Sequence, residues 1–299
     1  MMKAERMDLS LIKNAKTIRP IQKGFSTDEK VVVDETYLIK LFPEENLPNR
    51  IEEFETARRV SVLSKKVPKV INYGRCKEAG KGYLVLTYLP GVDGEEALKR
   101  LPAADQHRIG MVAGRELKKL HALEPPADVL PWEVVKKKKS DRYLKKLEAL
   151  DVEFTIKDTL RNYIHRNVGL LKGRPNRFQH DDFHPSNILI HDRSFSGIID
   201  FQRMDWGDPL HDLHKLGFFS KQVSVPFTRG VVDGYLQEED NHERFWELYA
   251  LYSAMHLVSA IVWCKEHTPS QVRMFLDRTY EVLDDHDHFT RTIPKWYEM

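Results

Sequence analysis

Cysteine is scarce in this chain of 299 residues, and its two copies, Cys76 and Cys264, lie too far apart for metal-ligand spacing. Two distant thiols are typical of a protein that stays reduced, so we predict a cytoplasmic location and no disulfide framework. The first six residues lack an apolar segment, and we therefore expect no secretory signal peptide.

A long uninterrupted apolar run is missing as well. The most apolar stretch, residues 248–264, is interrupted by Ser253, His256 and Ser259, which favours a helix buried in a globular core over a membrane span. The sequence has no internal repeat and no low-complexity linker, and 41% of its residues are hydrophobic. This length and composition predict one large or two medium globular domains.

Three oxygen-bearing side chains stand out in two short segments. Asp182 follows His180 by two residues, and Asn187 follows Asp182 by five. Asp200 comes directly after two isoleucines. One carboxylate in such a loop can face a hydroxyl, while an amide oxygen and a second carboxylate can face a cation. Because Mg²⁺ is usually held by one or two carboxylates together with substrate phosphates, this spacing suits phosphoryl transfer from a nucleotide.

The two segments resemble the motifs H-x-D-x-x-x-x-N and I-D-[FWY] of the aminoglycoside phosphotransferase and choline kinase superfamily, whose members are related to protein kinases. Protein kinases carry H-R-D and D-F-G at the same places. Here Asp181 replaces the arginine and Gln202 replaces the glycine, and Gly207-Asp208-Pro209 follows with no long activation segment. The resemblance therefore points to a small-molecule kinase rather than a protein kinase, and it covers nearly the whole chain.

The resemblance implies a bilobal, protein-kinase-like α+β fold, with a small β-rich N-terminal lobe and a larger α-helical C-terminal lobe. The hydrophobic periodicity agrees, because strand patterns surround one helical pattern at residues 48–64, whereas helical patterns dominate from residue 105 onward. Leu89-Pro90-Gly91 interrupts both patterns. We therefore predict a nucleotide-binding domain at residues 1–90, a catalytic and acceptor-binding domain at residues 91–299, and a site in the cleft between them.

The resemblance also implies roles for the loop residues. Asp182 is expected to be the catalytic residue that orients the acceptor hydroxyl, and Asn187 and Asp200 are expected to bind Mg²⁺. His180 is expected to pack beneath the loop and to form a hydrogen bond with its backbone. His184 is expected either to contact substrate or phosphate or to play a structural role.

Lys40, at the end of a predicted strand, resembles the strand lysine of kinases, which implies that it holds the α- and β-phosphates of the nucleotide. A lysine at a strand end is common, so this assignment depends on the downstream motifs. A helix carboxylate should pair with Lys40 and hold it in place. Glu55 is the first choice for this partner, and Glu52 and Glu53 are the alternatives.

Two further segments are expected to contact the nucleotide. Ser26 and Thr27 lie between the first two predicted strands, where a nucleotide-covering loop belongs, although the segment lacks G-x-G-x-x-G and a plain hairpin turn is the alternative. Thr87, Tyr88 and Leu89 resemble the hinge whose backbone binds the purine. Because backbone contacts do not depend on side-chain identity, ATP and GTP both stay open as the donor.

The formal net charge of +2 is unevenly distributed. Residues 200–299 carry 17 acidic and 10 basic side chains, a net charge of −7, which would attract a cationic co-substrate or form a solvated acidic surface. The one basic cluster lies at residues 136–139 with Lys145 and Lys146, and only Tyr143 accompanies it as an aromatic residue. We therefore expect no nucleic-acid binding.

Asp208 is expected to hold the loop backbone or to cap a helix rather than to react.

These observations predict a kinase that transfers the γ-phosphate of ATP or GTP to a hydroxyl of a small acceptor, with Mg²⁺ as cofactor and no nucleic-acid or membrane partner. A cationic polyol such as an aminoglycoside is the first choice of acceptor, and macrolides, choline and modified sugars or amino acids are alternatives. A catalytically silent nucleotide-binding scaffold is the competing function. Aromatic residues at helical spacing offer candidate pocket walls, although such residues more often form the core: Trp246, Tyr249, Tyr252, His256 and Trp263.

Overall fold

The computed structural model describes residues 11–21, 28–76, 80–237 and 242–298, which form two compact units. The N-terminal unit contains the described residues up to 93 together with residues 188–202. The C-terminal unit contains residues 94–187 and the described residues from 203 onward. The division predicted at residues 90 and 91 therefore differs from the structure chiefly because a later hairpin joins the first unit.

The larger sheet of the N-terminal unit is antiparallel. Its five strands are β1 (Ile18–Ile21), β2 (Glu29–Val33), β3 (Tyr37–Pro43), β4 (Val70–Cys76) and β5 (Lys81–Thr87). They lie in the order β1-β2-β3-β5-β4. Val33, Ile39 and Val85 are buried on one face in a shared apolar cluster. Asp34 and Glu35 both adopt positive φ in the tight hairpin that joins β2 to β3, and this hairpin fixes the register of the two strands.

Helix α1, Leu47–Leu63, follows β3 and carries a proline in its first turn, where a missing N–H costs no hydrogen bond. Phe54 is fully buried on this helix. Its ring lies 5.9 Å from the ring of Phe42 on β3 and 5.3 Å from the ring of Tyr73 on β4. These aromatic contacts fix the rotation of α1 and so decide which of its carboxylates face the sheet.

A second, three-stranded sheet completes the N-terminal unit. It contains β6 (Val92–Asp93), β8 (Ile188–His191) and β9 (Ser194–Ile198), in the order β6-β8-β9. The backbone N–H of Ile198 donates to the carbonyl of Lys66 at 2.8 Å, and Ser196 Oγ donates to the carbonyl of Pro90 at 2.6 Å. These bonds join the β8–β9 hairpin to the rest of the first unit, and Asp200 lies two residues after the end of β9.

The C-terminal unit is mainly helical. Its α-helices are α2 (Gly94–Ala97), α3 (Ala103–Leu120), α4 (Trp132–Glu148), α5 (Phe154–Asn167), α6 (Val225–Leu236), α7 (His242–His267), α8 (Val272–Asp285) and α9 (Lys295–Glu298). Two short strands, β7 (Arg177–Gln179) and β10 (Asp205–Gly207), pair antiparallel on either side of the loop that carries Asp182. A 3₁₀ helix at Pro209–His214 follows β10. The predicted α+β arrangement, with a β-rich N-terminal part and a helical C-terminal part, is confirmed.

Helix α7 is long and apolar enough to span a membrane by length and composition alone, and no other helix of the described residues is. However, 83% of its most apolar window is buried inside the protein. Leu251, Met255 and Val258 belong to a large apolar cluster, with residues of α4, α5 and α8. The structure therefore agrees with the sequence-based expectation of a buried core helix.

Helices α3 and α6 approach so closely that glycine is required at their contact. A Cβ atom built on Gly114 would lie 2.1 Å from the carbonyl oxygen of Val231. A Cβ atom built on Gly230 would lie 2.1 Å from the carbonyl oxygen of His107. Real Cβ atoms do not come this close to a rigid backbone, so the two helices pack through their main chains.

We expect Gly114→Ala to lower the free energy of unfolding by about 1–3 kcal/mol, because α3 and α6 must separate to admit the methyl group. Gly169→Ala is the matched control, since a Cβ atom there meets nothing within 4 Å. Urea denaturation followed by circular dichroism measures both variants. An equal, small effect at the two positions would contradict the close approach.

Candidate active site

The loop that carries Asp182 is held by a buried carboxylate. Asp212 is 1% exposed and accepts hydrogen bonds from the backbone N–H groups of His180 and Asp181, both at 2.6 Å. His121 Nε2 lies 2.9 Å from the same carboxylate. Asp181 adopts a positive φ of 54°, and the two hydrogen bonds hold the backbone in this uncommon conformation. Asp182 is thereby presented from a rigid turn.

His180 and Asp208 both serve the structure around this loop. His180 is fully buried, and its Nδ1 lies 3.2 Å from the backbone nitrogen of Asp182, as expected for a residue beneath the loop. Asp208 caps the 3₁₀ helix by accepting from the N–H of Leu210, and it binds Arg174 and Tyr252 through its carboxylate. Of the two roles predicted for Asp208, the structure shows helix capping. The other predicted role, holding the loop backbone, belongs to Asp212.

The carboxylate of Asp182 is surrounded by donors. Lys215 Nζ donates to Oδ1 at 2.6 Å, His184 Nε2 lies 3.5 Å from Oδ1, and Asn187 Nδ2 donates to Oδ2 at 3.2 Å. Burial alone would raise the pKa of Asp182, but His184 and Lys215 outweigh burial and hold this pKa well below its usual range. Because the side chain is still 26% exposed, Asp182 is an ionised carboxylate within reach of a ligand.

Asn187 is oriented by the same loop. Its amide nitrogen donates to the carbonyl oxygen of Asp182 at 2.9 Å as well as to the carboxylate. Because the amide nitrogen is used in this way, Oδ1 is the atom of Asn187 that can face a cation.

Lys40 and Asp200 lie together in the N-terminal unit. Lys40 Nζ is 3.5 Å from Asp200 Oδ1, and the lysine is 6% exposed, whereas the aspartate side chain is 33% exposed. Asp200 adopts a positive φ of 69° two residues after the end of β9. Sequence analysis did not identify Lys30, which lies directly opposite Lys40 in the β2–β3 register. Burial, followed by the charge of Lys40, lowers the pKa of Lys30.

Glu53, rather than Glu55, faces this cluster. Its carboxylate lies 3.3 Å from Arg50 Nε and within electrostatic reach of Lys40. Burial raises the pKa of Glu53, and the nearby Arg50 opposes this rise. Glu55 instead accepts hydrogen bonds from Tyr73 at 2.6 Å and from Arg58 at 3.1 Å, with a side chain that is 46% exposed. The two glutamates are two residues apart, which is about 200° around a helix, so they cannot face the same side.

The predicted hinge already uses part of its backbone within the N-terminal unit. Thr87 N donates to the carbonyl of Lys69 at 2.9 Å, and Tyr88 N donates to the carbonyl of Thr36 at 2.8 Å. Leu89 is the next residue along the chain. Ser26 and Thr27, the other predicted nucleotide contacts, lie outside the described residues.

The predicted basic cluster is not a continuous basic surface. Lys136 is 7% exposed and lies 2.5 Å from His211 Nε2, and burial lowers the pKa of Lys136 to about 7. Burial also lowers the pKa of His211 well below its usual range, so this histidine is neutral and accepts a hydrogen bond from the lysine. Lys137 and Lys146 form surface ion pairs with acidic residues. Fewer positive charges of this cluster are therefore available to bind an anionic partner than the sequence suggests.

Many of the acidic residues after position 200 are used internally. Asp212 is buried against His121, and Asp285 binds Lys221 at 2.5 Å. Of the candidate wall positions, three are buried core residues and two are partly exposed. The buried ones are Trp246, Tyr249 and Tyr252, and the partly exposed ones are His256 and Trp263.

A family profile and solved structures were both found to be similar to this chain, the profile in sequence and the structures in fold. The profile of a family described as "Phosphotransferase enzyme family" matches residues 17–249. No curated protein matches this chain.

Many solved structures share the fold at low sequence identity. The gentamicin complex of APH(2")-IIa has a TM-score of 0.65 and 18% identity, with 92% of this chain and 94% of that chain covered. The GDP complex of aminoglycoside 2'-phosphotransferase-IIIa has a TM-score of 0.67 and 16% identity, with 93% and 97% covered. The streptomycin–ATP complex of APH(2")-IIa has a TM-score of 0.64 and 17% identity, with 98% and 97% covered.

We expect Lys215→Met to lower the free energy of unfolding by about 1–3 kcal/mol at pH 7, because Asp182 then loses its closest cation. The pKa of Asp182 is lower in the folded protein than its ordinary value of 3.8. The ion pair therefore stabilises the folded protein fully at pH values above 3.8, and this contribution is lost as the pH falls below that value. The gap in free energy of unfolding between the two proteins should therefore hold from pH 7 to about pH 4 and narrow below pH 4.

Urea titrations at several pH values measure this gap. Lys137→Met is the control, because its pair with Asp141 is at the surface, with both side chains more than half exposed. A gap for Lys215→Met that does not change with pH would contradict the coupling to Asp182.

Proposed function

Because the chain belongs to the phosphotransferase enzyme family, we propose that it is a small-molecule kinase that transfers the γ-phosphate of ATP or GTP to an acceptor hydroxyl. The observation that carries this proposal is the state of Asp182: an ionised, partly exposed carboxylate on a turn held by Asp212. Solved proteins of this fold include complexes with ADP, GDP and ATP. We further propose a cytoplasmic location, in keeping with two free, buried cysteines.

The N-terminal unit would bind the phosphates of the donor. Lys30 and Lys40 lie opposite each other on neighbouring strands, where like charges are unfavourable unless anions compensate them. Asp200 supplies one such negative charge, and a triphosphate would supply more. Thr87 and Tyr88 already use their N–H groups, so we assign the hinge N–H that meets the purine to Leu89.

Mg²⁺ fits the donor set that the chain offers. The carboxylate of Asp200 and Oδ1 of Asn187 would hold the ion, and both are hard oxygen ligands. Among the described residues, no group of three or more His, Cys, Asp or Glu side chains could hold a metal ion. The remaining ligands would therefore come from phosphates and water. When bound, Mg²⁺ neutralises phosphate charge.

Asp182 would orient the acceptor rather than act as a strong base. A carboxylate with a lowered pKa accepts protons poorly but accepts hydrogen bonds well. The hydroxyl would therefore donate to Asp182 and turn its lone pair toward the phosphorus. In a loose phosphoryl-transfer transition state the nucleophile keeps its proton until late, so this alignment suffices. Lys215 would fix the carboxylate from the opposite side.

An aminoglycoside is the first acceptor to assay, because solved proteins of this fold include complexes with gentamicin, streptomycin and kanamycin. Macrolides, choline and modified sugars or amino acids are the further classes. Many acidic residues after position 200 are paired with basic residues of the same protein. The negative net charge of residues 200–299 is therefore weak support for a cationic acceptor.

We expect Asp182→Ala to lower turnover at least ~100-fold with little change in nucleotide affinity, because it removes only the group that orients the hydroxyl. Asp200→Ala should abolish Mg²⁺-dependent nucleotide binding and turnover together. The measurement is an acceptor screen with ATP and GTP in parallel, combined with thermal-shift titrations of nucleotide with and without Mg²⁺. Near wild-type turnover in Asp182→Ala would remove this residue from its role, and binding without turnover on any acceptor would favour a silent scaffold.

We expect Glu53→Gln to weaken nucleotide binding by about three- to tenfold, which is about 0.7–1.4 kcal/mol, because Arg50 and Lys40 lose a nearby buried carboxylate. Glu55→Gln is the control on the same helix and should leave the affinity unchanged. Isothermal titration with ADP and Mg²⁺ compares the two variants. A larger loss of nucleotide affinity for Glu55→Gln than for Glu53→Gln would instead make Glu55 the partner of Lys40.

A further inference from the structure

A chain of side-chain contacts leads from Asp182 to Arg278 within the C-terminal unit. His184 lies 3.5 Å from the carboxylate of Asp182, and its ring centroid is 5.4 Å from that of Phe219. The guanidinium of Arg278, on α8, lies 5.2 Å from the centroid of the Phe219 ring. His184, Phe219 and Arg278 are all partly exposed. We call these three residues the Arg278 surface.

Arg278 forms no ion pair with any carboxylate of the described residues. Its nearest acidic influences, Glu281 and Glu95, act from farther away. Arg278 is partly buried, and this burial lowers the pKa of its guanidinium. By contrast, Arg50 and Arg174 each have a carboxylate oxygen at 2.8 Å.

A partly desolvated guanidinium without a counter-ion lowers stability, because it loses hydration without gaining an ion pair. The cation–π contact with Phe219 offsets only part of the free energy of hydration that the guanidinium loses. The guanidinium lies 5.9 Å from the Phe218 ring centroid and 5.2 Å from that of Phe219, and its planar fork of N–H groups can donate to both oxygens of a carboxylate. A partly buried guanidinium with no ion pair among the described residues can therefore bind a carboxylate ligand.

We propose that Arg278 binds a carboxylate of the acceptor, so that the substrate is a hydroxy acid rather than a simple polycation. This inference rests on the proposed kinase function, and it identifies the acceptor class of the same site. Phe219 and His184 line the path between the bound carboxylate and the hydroxyl at Asp182. Lys215 and Arg278 together make this surface unfavourable for an ammonium group, while amino groups elsewhere on the acceptor are compatible with it.

The first test measures binding without turnover. The probes are 4-hydroxybenzoate and its amide, 4-hydroxybenzamide, titrated into the full chain with ADP and Mg²⁺ by ligand-observed NMR. We expect the acid to bind at least about tenfold more tightly than the amide, because only the acid forms a charge-assisted pair. Arg278→Gln should remove this difference, and Arg278→Lys should keep part of it.

Arg273→Gln is the matched control, since Arg273 is exposed on the same helix. It should bind both probes as the unchanged protein does. Thermal unfolding and ADP affinity show whether each variant is folded. Failure of 4-hydroxybenzoate to bind, equal binding of acid and amide, or an equal effect of the Arg273 and Arg278 variants would overturn the proposal.

The second test uses turnover with matched pairs of acceptors, each a hydroxy acid and its amide. For acids, Arg278→Gln should raise KM by about tenfold or more with little change in kcat. Turnover confined to polycations without an acidic group would overturn the proposal. An equal fall in kcat with every acceptor would also overturn it, because the guanidinium would then act on the transferred phosphate. If no acceptor is phosphorylated but the NMR result holds, the kinase function fails and the carboxylate site stands.

Discussion

The hydrogen bonds that Asp212 accepts from His180 and Asp181 are the contacts on which the candidate catalytic loop depends. A buried carboxylate is unfavourable unless its oxygens are all engaged, and here two backbone N–H groups and His121 engage them. In return, the loop backbone can keep the positive φ of Asp181. The carboxylate therefore converts an otherwise uncommon turn into a fixed support for Asp182.

Around this support, charge compensation follows a consistent pattern. Acidic groups that are buried have close partners, as Asp208 has in Arg174 and Asp285 has in Lys221. Basic groups that lie near the proposed substrates are only partly compensated, as with Lys30 and Arg278. The incomplete compensation marks where anions would bind, at the phosphate end for the lysine and at the acceptor end for the arginine.

The sequence predicted the features that local patterns specify. The β2–β3 hairpin, α1, the loop of Asp182 and the buried character of α7 all follow from periodicity, turn residues or motif spacing. Distance along the chain favours Glu55, whereas helical phase, fixed by the packing of Phe54, turns Glu53 toward Lys40. The contributions of Lys215 and Arg278 arise from tertiary contacts between distant segments, and no local pattern specifies these. The register of the predicted hairpin was the one signal that would have placed Lys30 opposite Lys40.

The N-terminal unit is assembled from two stretches that are separated by about a hundred residues, because β8 and β9 return to pair with β6. During synthesis, residues 28–93 leave the ribosome with one edge of this small sheet unfilled until residue 198 has emerged. Closing so long an interval is entropically costly and slow compared with forming the hairpins of the larger sheet. The segment that delivers Asp200 should therefore settle later than the hairpins of the larger sheet. The proposed phosphate-binding residues would then come together only after helices α2 to α5 have been made.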